Sequence, residues 1–405
     1  MTAGVEDPAR LALTPPERDP ATPFGIYLHV PFCSTRCGYC DFNTYTAGEL
    51  GSATSPVDWE RAAAIEIDRA AEALARTGTP PEVDTVFVGG GTPSLVGADV
   101  LVGMLDRIDS AFGLAPGAEV TTESNPESTS PEFFARLREG GYTRISLGMQ
   151  STSARVLRVL DRAHTPGRPQ EAAAEAVRAG FEHVNLDVIY GTPGEREEDL
   201  AHTLDAVVAA GVDHVSAYSL IVEDGTALAR RIRRGELPGT VDDVLADRYE
   251  QVSERLTRAG FHWYEVSNFA TEESGYCRHN LGYWRGGDWW GVGPGAHSHV
   301  AGARWWNHKH PARYAAACDA GELPVDGGEQ LTDTDRHIER IMTGLRLAEG
   351  LADSVFTTDE LARADEQVEA GLLYRRDAGH PEGPGYALTD RGRLLADGVV
   401  RDILV

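Results

Sequence analysis

Short β-branched runs alternate along the chain with longer stretches of helical periodicity. The apolar runs Phe24–Val30, Val83–Val88, Ala118–Glu123, Arg144–Met149, His183–Ile189 and His214–Ile221 have the length and composition of buried strands. Between them the spacing predicts helices over Asp58–Arg76, opened by Asp58 and stopped by Pro80-Pro81, then over a segment reaching Phe112, and over Pro131–Glu139, Ala154–Leu160, Gln170–Ala179 and Glu197–Ala210. Strands that alternate with helices of this length form a parallel sheet, so the pattern predicts an α/β fold. Six such units either curl into a partial (β/α)6 barrel or lie as an open doubly wound sheet. In both, ligands collect where the carboxyl ends of the strands emerge.

The style changes toward the C-terminus. Helical periodicity over Asp335–Leu347 and Thr358–Ala370 is followed by a ribbon around Leu372–Tyr374 and Tyr386–Leu388, and by a helix opened by Thr389-Asp390. This order predicts a small α+β, winged-helix-like domain. The resulting division is a disordered tail over 1–22, a core over 23–235, a connecting region over 236–330 and the C-terminal domain over 331–405.

The chain has 405 residues with 41% hydrophobic content, enough for a substantial core and a second small domain. Its net charge of −26 repels phosphate backbones and, with no basic patch in the sequence, argues against nucleic acid as a partner. Residues 332–405 hold nine arginines and no lysine against fifteen acids, so a winged helix there is not expected to bind DNA. Met1–Thr22 lacks the apolar centre of a signal peptide, and no stretch reads as a transmembrane segment. The expectation is a cytoplasmic protein.

Three of the five cysteines crowd into eight positions directly after the first strand, as Cys33-x3-Cys37-x2-Cys40. Cys277 and Cys318 stand alone, which makes no disulfide framework. Three thiolates on one loop suit three irons of a [4Fe–4S] cube and leave the fourth iron to a small chelating ligand. Zinc is the rival, with a fourth ligand drawn from a distant histidine or from Cys277.

The other candidate groups fall on the predicted strand ends. Gly89-Gly90-Gly91-Thr92 lets a backbone approach a ligand closely, or is a plain turn; it lacks the lysine and spacing of a phosphate loop. Glu123 in Glu123-Ser124-Asn125-Pro126 suits the hydroxyls of a ribose, or caps the helix that starts after Ser130. Gln150 ends the fourth strand, and Arg162 follows, by default a solvated arginine. Asp187 lies within a buried strand, where an acid needs a partner or a ligand.

The cysteine spacing followed by Asp41-Phe42 resembles the radical S-adenosylmethionine (SAM) superfamily. That resemblance implies a radical SAM barrel, a [4Fe–4S] cluster whose open iron is chelated by SAM, and reductive cleavage of SAM to a deoxyadenosyl radical. Tyr27, Gly-Gly-Gly-Thr-Pro at 89–93, Glu-x-Asn-Pro at 123–126, Gly148-x-Gln150, Arg162 and Asn-x-Asp-x-Ile-Tyr-Gly-x-Pro at 185–193 narrow it. Together they are similar to oxygen-independent coproporphyrinogen III oxidases and their relatives, over roughly residues 24–405. The likeness implies that Tyr27, Gly90, Gly91, Thr92, Glu123, Gln150, Arg162 and Asp187 contact SAM, with Tyr39 near the adenine.

Within that family two features depart from the oxidases. Phe42 stands where oxidases carry a fourth cysteine, and only 32 residues precede Cys33 where oxidases have a longer arm. A third feature resembles the HemW-type heme chaperones: Cys277-Arg278-His279-Asn280-Leu281-Gly282-Tyr283-Trp284 matches their H-N-x-x-Y-W motif. The resemblance implies heme binding by His279, Asn280, Tyr283 and Trp284, with His279 the candidate axial ligand, and delivery of heme to an acceptor protein. Without the family, a histidine among aromatics reads as a packed core residue. Transient contact with a membrane-bound acceptor stays open, as does cleavage of SAM. Oxidative decarboxylation of coproporphyrinogen III is the alternative function. Gly291–Ser298 is a glycine-rich loop that either borders the porphyrin or SAM site or connects the domains.

Overall fold

The structure is a computed structural model that describes residues 3–4, 7–50, 55–78, 80–377, 379–381 and 383–405. A six-residue helix, α1 (Pro8–Leu13), opens it, followed by strand β1 (Phe24–Val30) and helix α2 (Pro56–Ala75). Five strand–helix repeats follow. They are β2 (Val83–Gly90) with α3 (Ala98–Phe112), β3 (Leu114–Ser124) with α4 (Pro131–Glu139), and β4 (Arg144–Gln150) with α5 (Ala154–Val159) and α6 (Arg168–Arg178). Then come β5 (His183–Tyr190) with α7 (Glu197–Ala209) and β6 (His214–Ser219) with α8 (Ala227–Arg233). Every predicted strand is present, and β1 to β6 pair in parallel in chain order.

The two faces of this sheet carry different chemistry. Ile26, Leu28, Val86, Val88, Ile145, Leu147, Leu186 and Val215 are buried in the main hydrophobic core. Alternate positions on the same strands, Thr85, Glu119, Arg144, Asn185 and His214, are equally buried but polar. Strand residues two apart share a face, so this alternation lines one face of the sheet with hydrogen-bonding groups.

The expected connecting region is not a connection. After α9 (Asp242–Arg258), the strands β7 (His262–Glu265) and β8 (Asn268–Ala270) form a hairpin whose second strand pairs antiparallel with β6. Helix α10 (Arg278–Trp284) follows, and β9 (Asp288–Val292) then pairs in parallel with β1 on the opposite edge. Strands β10 (His297–Val300), β11 (Ala303–Asn307) and β12 (Val325–Gln330) extend that edge antiparallel. With Ala3–Gly4 the sheet has thirteen strands among the described residues.

The N-terminal stretch expected to be disordered is packed instead. Asp7 caps α1 through the backbone N–H of Arg10, and Pro8 supplies a preset helical φ at its first turn. Ala12 is fully buried in the main core. Arg18 pairs with Asp288 at 2.7 Å, both side chains nearly enclosed. Of the expected tail, residues 1, 2, 5 and 6 lie outside the described residues. Helix α2 begins two residues earlier than expected, because Ser55 is its cap and Asp58 closes the capping box from the third position.

The C-terminal segment has its own core around Ile341, Leu351, Phe356, Tyr386 and Ile403. Helix α11 (Pro311–Asp319) lies before β12 and packs on α2; after it come α12 (Asp333–Gly344), β13 (Leu351–Ala352), α13 (Thr358–Glu369), β14 (Leu373–Arg376) and β15 (Gly385–Leu388), the three strands forming one sheet, and α14 (Asp390–Leu394) and α15 (Ala396–Leu404) close the chain. Among the described residues no helix is long and apolar enough to cross a membrane.

Candidate active site at the carboxyl ends of the strands

The cysteine loop leaves β1 at its carboxyl end and is tied down on three sides. Gly38 donates its N–H to Leu160 O at 3.1 Å and accepts from Leu228 N at 2.8 Å, which fixes the loop against α5 and α8. The glycine turn after β2 holds its start: Gly91 N donates to Val30 O and Thr92 N to Phe32 O, both at 2.8 Å. A Cβ on Gly91 would lie 2.4 Å from Phe32 O, so only glycine permits this approach. Two backbone N–H groups of that turn, those of Gly91 and Thr92, are thus spent on placing the start of the cysteine loop.

Gly291–Ser298 meets neither earlier reading in full. It is the turn between β9 and β10, and it backs the exit of the cysteine loop, where Asn43 Nδ2 donates to Pro294 O at 2.9 Å. Buried Glu66 on α2 fastens it, accepting from Gly293 N at 2.8 Å, Asn307 Nδ2 at 2.7 Å and Tyr314 Oη at 2.5 Å.

Cys33, Cys37 and Cys40 are free, half-buried thiols on the rim of a cavity of about 390 Å³. Gly90, Gly91, Thr92, Glu123, Gln150, Arg162, Asp187 and Tyr39 all line it, so the residues expected from six separate places in the sequence converge. Tyr27 does not. It points to the interior below the cavity, with its hydroxyl 2.9 Å from His29 Nδ1 and its ring stacked on Phe87. Tyr218, near the end of β6, and Ile221 and Glu223, which follow it, complete the far wall. They were legible by the same strand-end rule but carried no motif.

Arg162 is not a solvated arginine. Its Nε donates to Gln150 Oε1 at 3.0 Å, Nη2 to Gly148 O at 3.3 Å and Nη1 to Cys37 Sγ at 3.5 Å. Gln150 holds a left-handed backbone, φ 59°, which is rare outside glycine and marks a position fixed by its surroundings. Glu123 is no helix cap, since Ser130 caps α4; its carboxylate accepts from Gly90 N at 3.1 Å inside the cavity. Asp187 has the partners its burial demands, Ser146 Oγ at 3.1 Å and Asn185 Nδ2 at 2.7 Å.

Burial, reinforced by the nearby Asp187 charge, lifts Glu123 to about 8. Burial lifts Asp187 to about 6 against the pull of its hydrogen bonds and of Arg162. Two carboxyl groups raised this way favour a cationic ligand, whose charge would restore both to the ionised form. Ser124 Oγ lines the same cavity, buried without a hydrogen-bond partner. Three thiols on one rim, an acid-lined wall and an unsatisfied hydroxyl fit a [4Fe–4S] cluster with SAM, which carries both an ammonium and a sulfonium. Cys277 is not the fourth ligand that zinc would need: it lies elsewhere, buried with its Sγ 3.6 Å from Glu119.

That region, against the amino ends of the strands, holds the H-N-x-x-Y-W motif. Glu119 on β3 receives the first turn of α10, accepting from Arg278 N and His279 N at 3.0 Å each. The His279 ring is 3% exposed and stacks on Phe87 at 5.3 Å. Its Nδ1 lies 2.8 Å from Thr85 Oγ1 and its Nε2 2.8 Å from Tyr283 Oη, so both nitrogens are engaged. In this structure the expected axial ligand is packed, with both ring nitrogens hydrogen-bonded. Asn280 and Trp284 turn instead to Glu265 on β7, which they hold together with Asn268. A polar chain links this end to the cavity: Cys277 N donates to Tyr264 Oη at 3.1 Å, Tyr264 Oη meets His214 Nε2 at 2.8 Å, and His214 Nδ1 meets Asn185 Oδ1 at 2.7 Å, next to Asp187.

Residues 27–207 match the Radical SAM superfamily. The chain is 56% identical over 385 residues to the heme chaperone HemW of Mycobacterium tuberculosis, covering 95% of this chain and 96% of that one. It is 30% identical over 384 residues to the heme chaperone HemW of Bacillus subtilis, covering 92% and 97%. The coproporphyrinogen III oxidase HemN of Escherichia coli, a radical SAM enzyme, superimposes with a TM-score of 0.81 at 22% identity, over 98% of this chain and 93% of that one, a likeness of fold. The fold is thus shared with a radical SAM enzyme, while sequence identity over nearly the whole length places the chain in the HemW heme chaperone family.

Proposed function

We infer that the chain binds heme and passes it to an acceptor protein, on a core that holds a [4Fe–4S] cluster and SAM. What supports this most is the 56% identity over 95% of the chain with a protein named a heme chaperone. Phe42 agrees with it: a 60% exposed ring lines the cavity where the oxidases that the motifs resemble carry a further cysteine. Cys33, Cys37 and Cys40 would hold the cluster. Glu123, Gln150, Arg162 and Asp187 would seat SAM, with Tyr39 against its adenine. When bound, that pair supplies one-electron reductive chemistry. Arg162 positions Cys37 and Gln150 together, and the acid wall favours the cationic form of the ligand. The cytoplasm is the compartment that suits free thiols and an oxygen-sensitive cluster.

Hemin titration of the anaerobically purified chain tests the reading. A saturable Soret band at a single equivalent is expected. Absence of saturable binding, or conversion of coproporphyrinogen III to protoporphyrinogen IX with SAM and reductant, would replace the chaperone with the oxidase.

A further inference from the structure

Beside the thiol-rimmed cavity lies a second one of about 620 Å³, and Tyr218, Ser219 and Ile221 belong to the walls of both. It runs between the carboxyl ends of β5 and β6, helix α9, the β7–β8 hairpin and the C-terminal helices α14 and α15. Its volume falls in the range of small-molecule sites. Tyr190, Tyr249 and Trp263 give it aromatic walls. Its rim is apolar and open to water: Ile221 is 68%, Leu395 47% and Val266 38% exposed. Contiguous apolar surface of this kind marks a binding site more often than chance.

Two guanidinium groups enter it. Arg393 is the informative one, with a side chain only 10% exposed and its guanidinium 4.4 Å above the Trp263 ring. Its Nη2 pairs with Asp390, at the surface, and it attracts the phenol of Tyr249; its Nη1 is buried without a hydrogen-bond partner. Trp263 Nε1 is buried and unpartnered in the same wall. A buried cationic donor left unsatisfied is expensive unless an anionic acceptor reaches it. Arg346 is the second cation, paired with Asp397, whose side chain is 90% exposed and so free to exchange with a ligand carboxylate. Asp242 and Asp397 are the acids on the rim.

A groove with aromatic walls, an apolar mouth and two guanidiniums fits a flat aromatic ligand that bears two carboxylates. We propose that it seats a tetrapyrrole through its ring faces and acidic side arms, one carboxylate on Arg393. This rests on the chaperone reading and places its heme, which the motif helix leaves unplaced. It also gives α10 a part in binding without ligation. Asn280 and Trp284 hold Glu265, and the neighbouring residues of that hairpin, Trp263 and Val266, face the groove.

The test is hemin affinity of the full chain, compared with that for hemin dimethyl ester, which lacks free carboxylates. Arg393→Gln is expected to weaken hemin binding by about tenfold or more and to leave ester binding unchanged. Ile221→Glu, at an exposed position that does not threaten the fold, is expected to weaken both ligands several-fold. Wild-type hemin affinity in both variants, or equal losses for hemin and ester in Arg393→Gln, would overturn the groove while leaving the chaperone reading intact. Failure of the unaltered chain to bind hemin would overturn that reading, and the groove with it.

Discussion

His279→Ala separates a packed histidine from an iron ligand. In the structure the substitution removes both hydrogen bonds at 2.8 Å, stranding the hydroxyls of Thr85 and Tyr283, and it removes the ring stacked on Phe87. Each stranded buried group costs about 1–2 kcal/mol, and the lost ring contact adds about 0.5–1.5 kcal/mol. The expected destabilisation is therefore about 3–5 kcal/mol, read as a drop in the urea midpoint of roughly 1 M for a chain of this size. The pH dependence has a fixed sign. Burial holds the folded imidazole at about 3, below the ordinary 6.5, so the folded state stays neutral where the unfolded state takes up a proton. That contribution to stability is present above 6.5 and is lost as pH falls toward 3. The gap between wild type and variant should accordingly narrow between pH 7.5 and about pH 5. Hemin binding is the second readout. A packing role predicts weaker binding with an unshifted Soret maximum. A stable variant that loses or shifts the Soret band would refute the argument and restore His279 as the ligand.

Other substitutions probe the remaining supports. Gly91→Ala drives a methyl to within 2.4 Å of Phe32 O, so the backbone leading to Cys33 must move; iron and sulfide content after anaerobic reconstitution should fall, and full retention would show that the turn does not place the thiol. Arg162→Ala frees Cys37 and Gln150 together and should weaken SAM binding by about tenfold or more, measured by calorimetry on the reconstituted protein. Glu66→Gln turns one of the acceptor oxygens facing Gly293 N, Asn307 Nδ2 and Tyr314 Oη into a donor, a loss of about 1–3 kcal/mol in thermal or urea unfolding. A gain in stability would mean that the Glu66 carboxyl, which burial lifts to about 7, is held protonated instead.

The six parallel strands were legible because strands buried on both faces read as β-branched runs, and their ends then located the cavity. Strands β9 to β12 escaped notice because Trp289, Trp290, His297, His299 and the paired glycines 327 and 328 do not form such runs. Their pairing with β1 is a tertiary choice that local pattern does not carry. The packed tail did have a signal, Asp7-Pro8, a cap followed by proline at the first turn, hidden by the shortness of the helix. The motif around His279 shows the limit of residue type: imidazole and aromatics suit a heme face, but only the fold shows that Thr85 and Tyr283 take both nitrogens. Tyr27 likewise sits on an alternating strand, and only the fold shows its hydroxyl against His29 Nδ1.

Iron and acid-labile sulfide per chain after anaerobic preparation test the central claim most directly. The account predicts about four of each in the unaltered protein and almost none when Cys33, Cys37 and Cys40 are all replaced by alanine. Protein that lacks both elements, or a triple variant that keeps them, would contradict it.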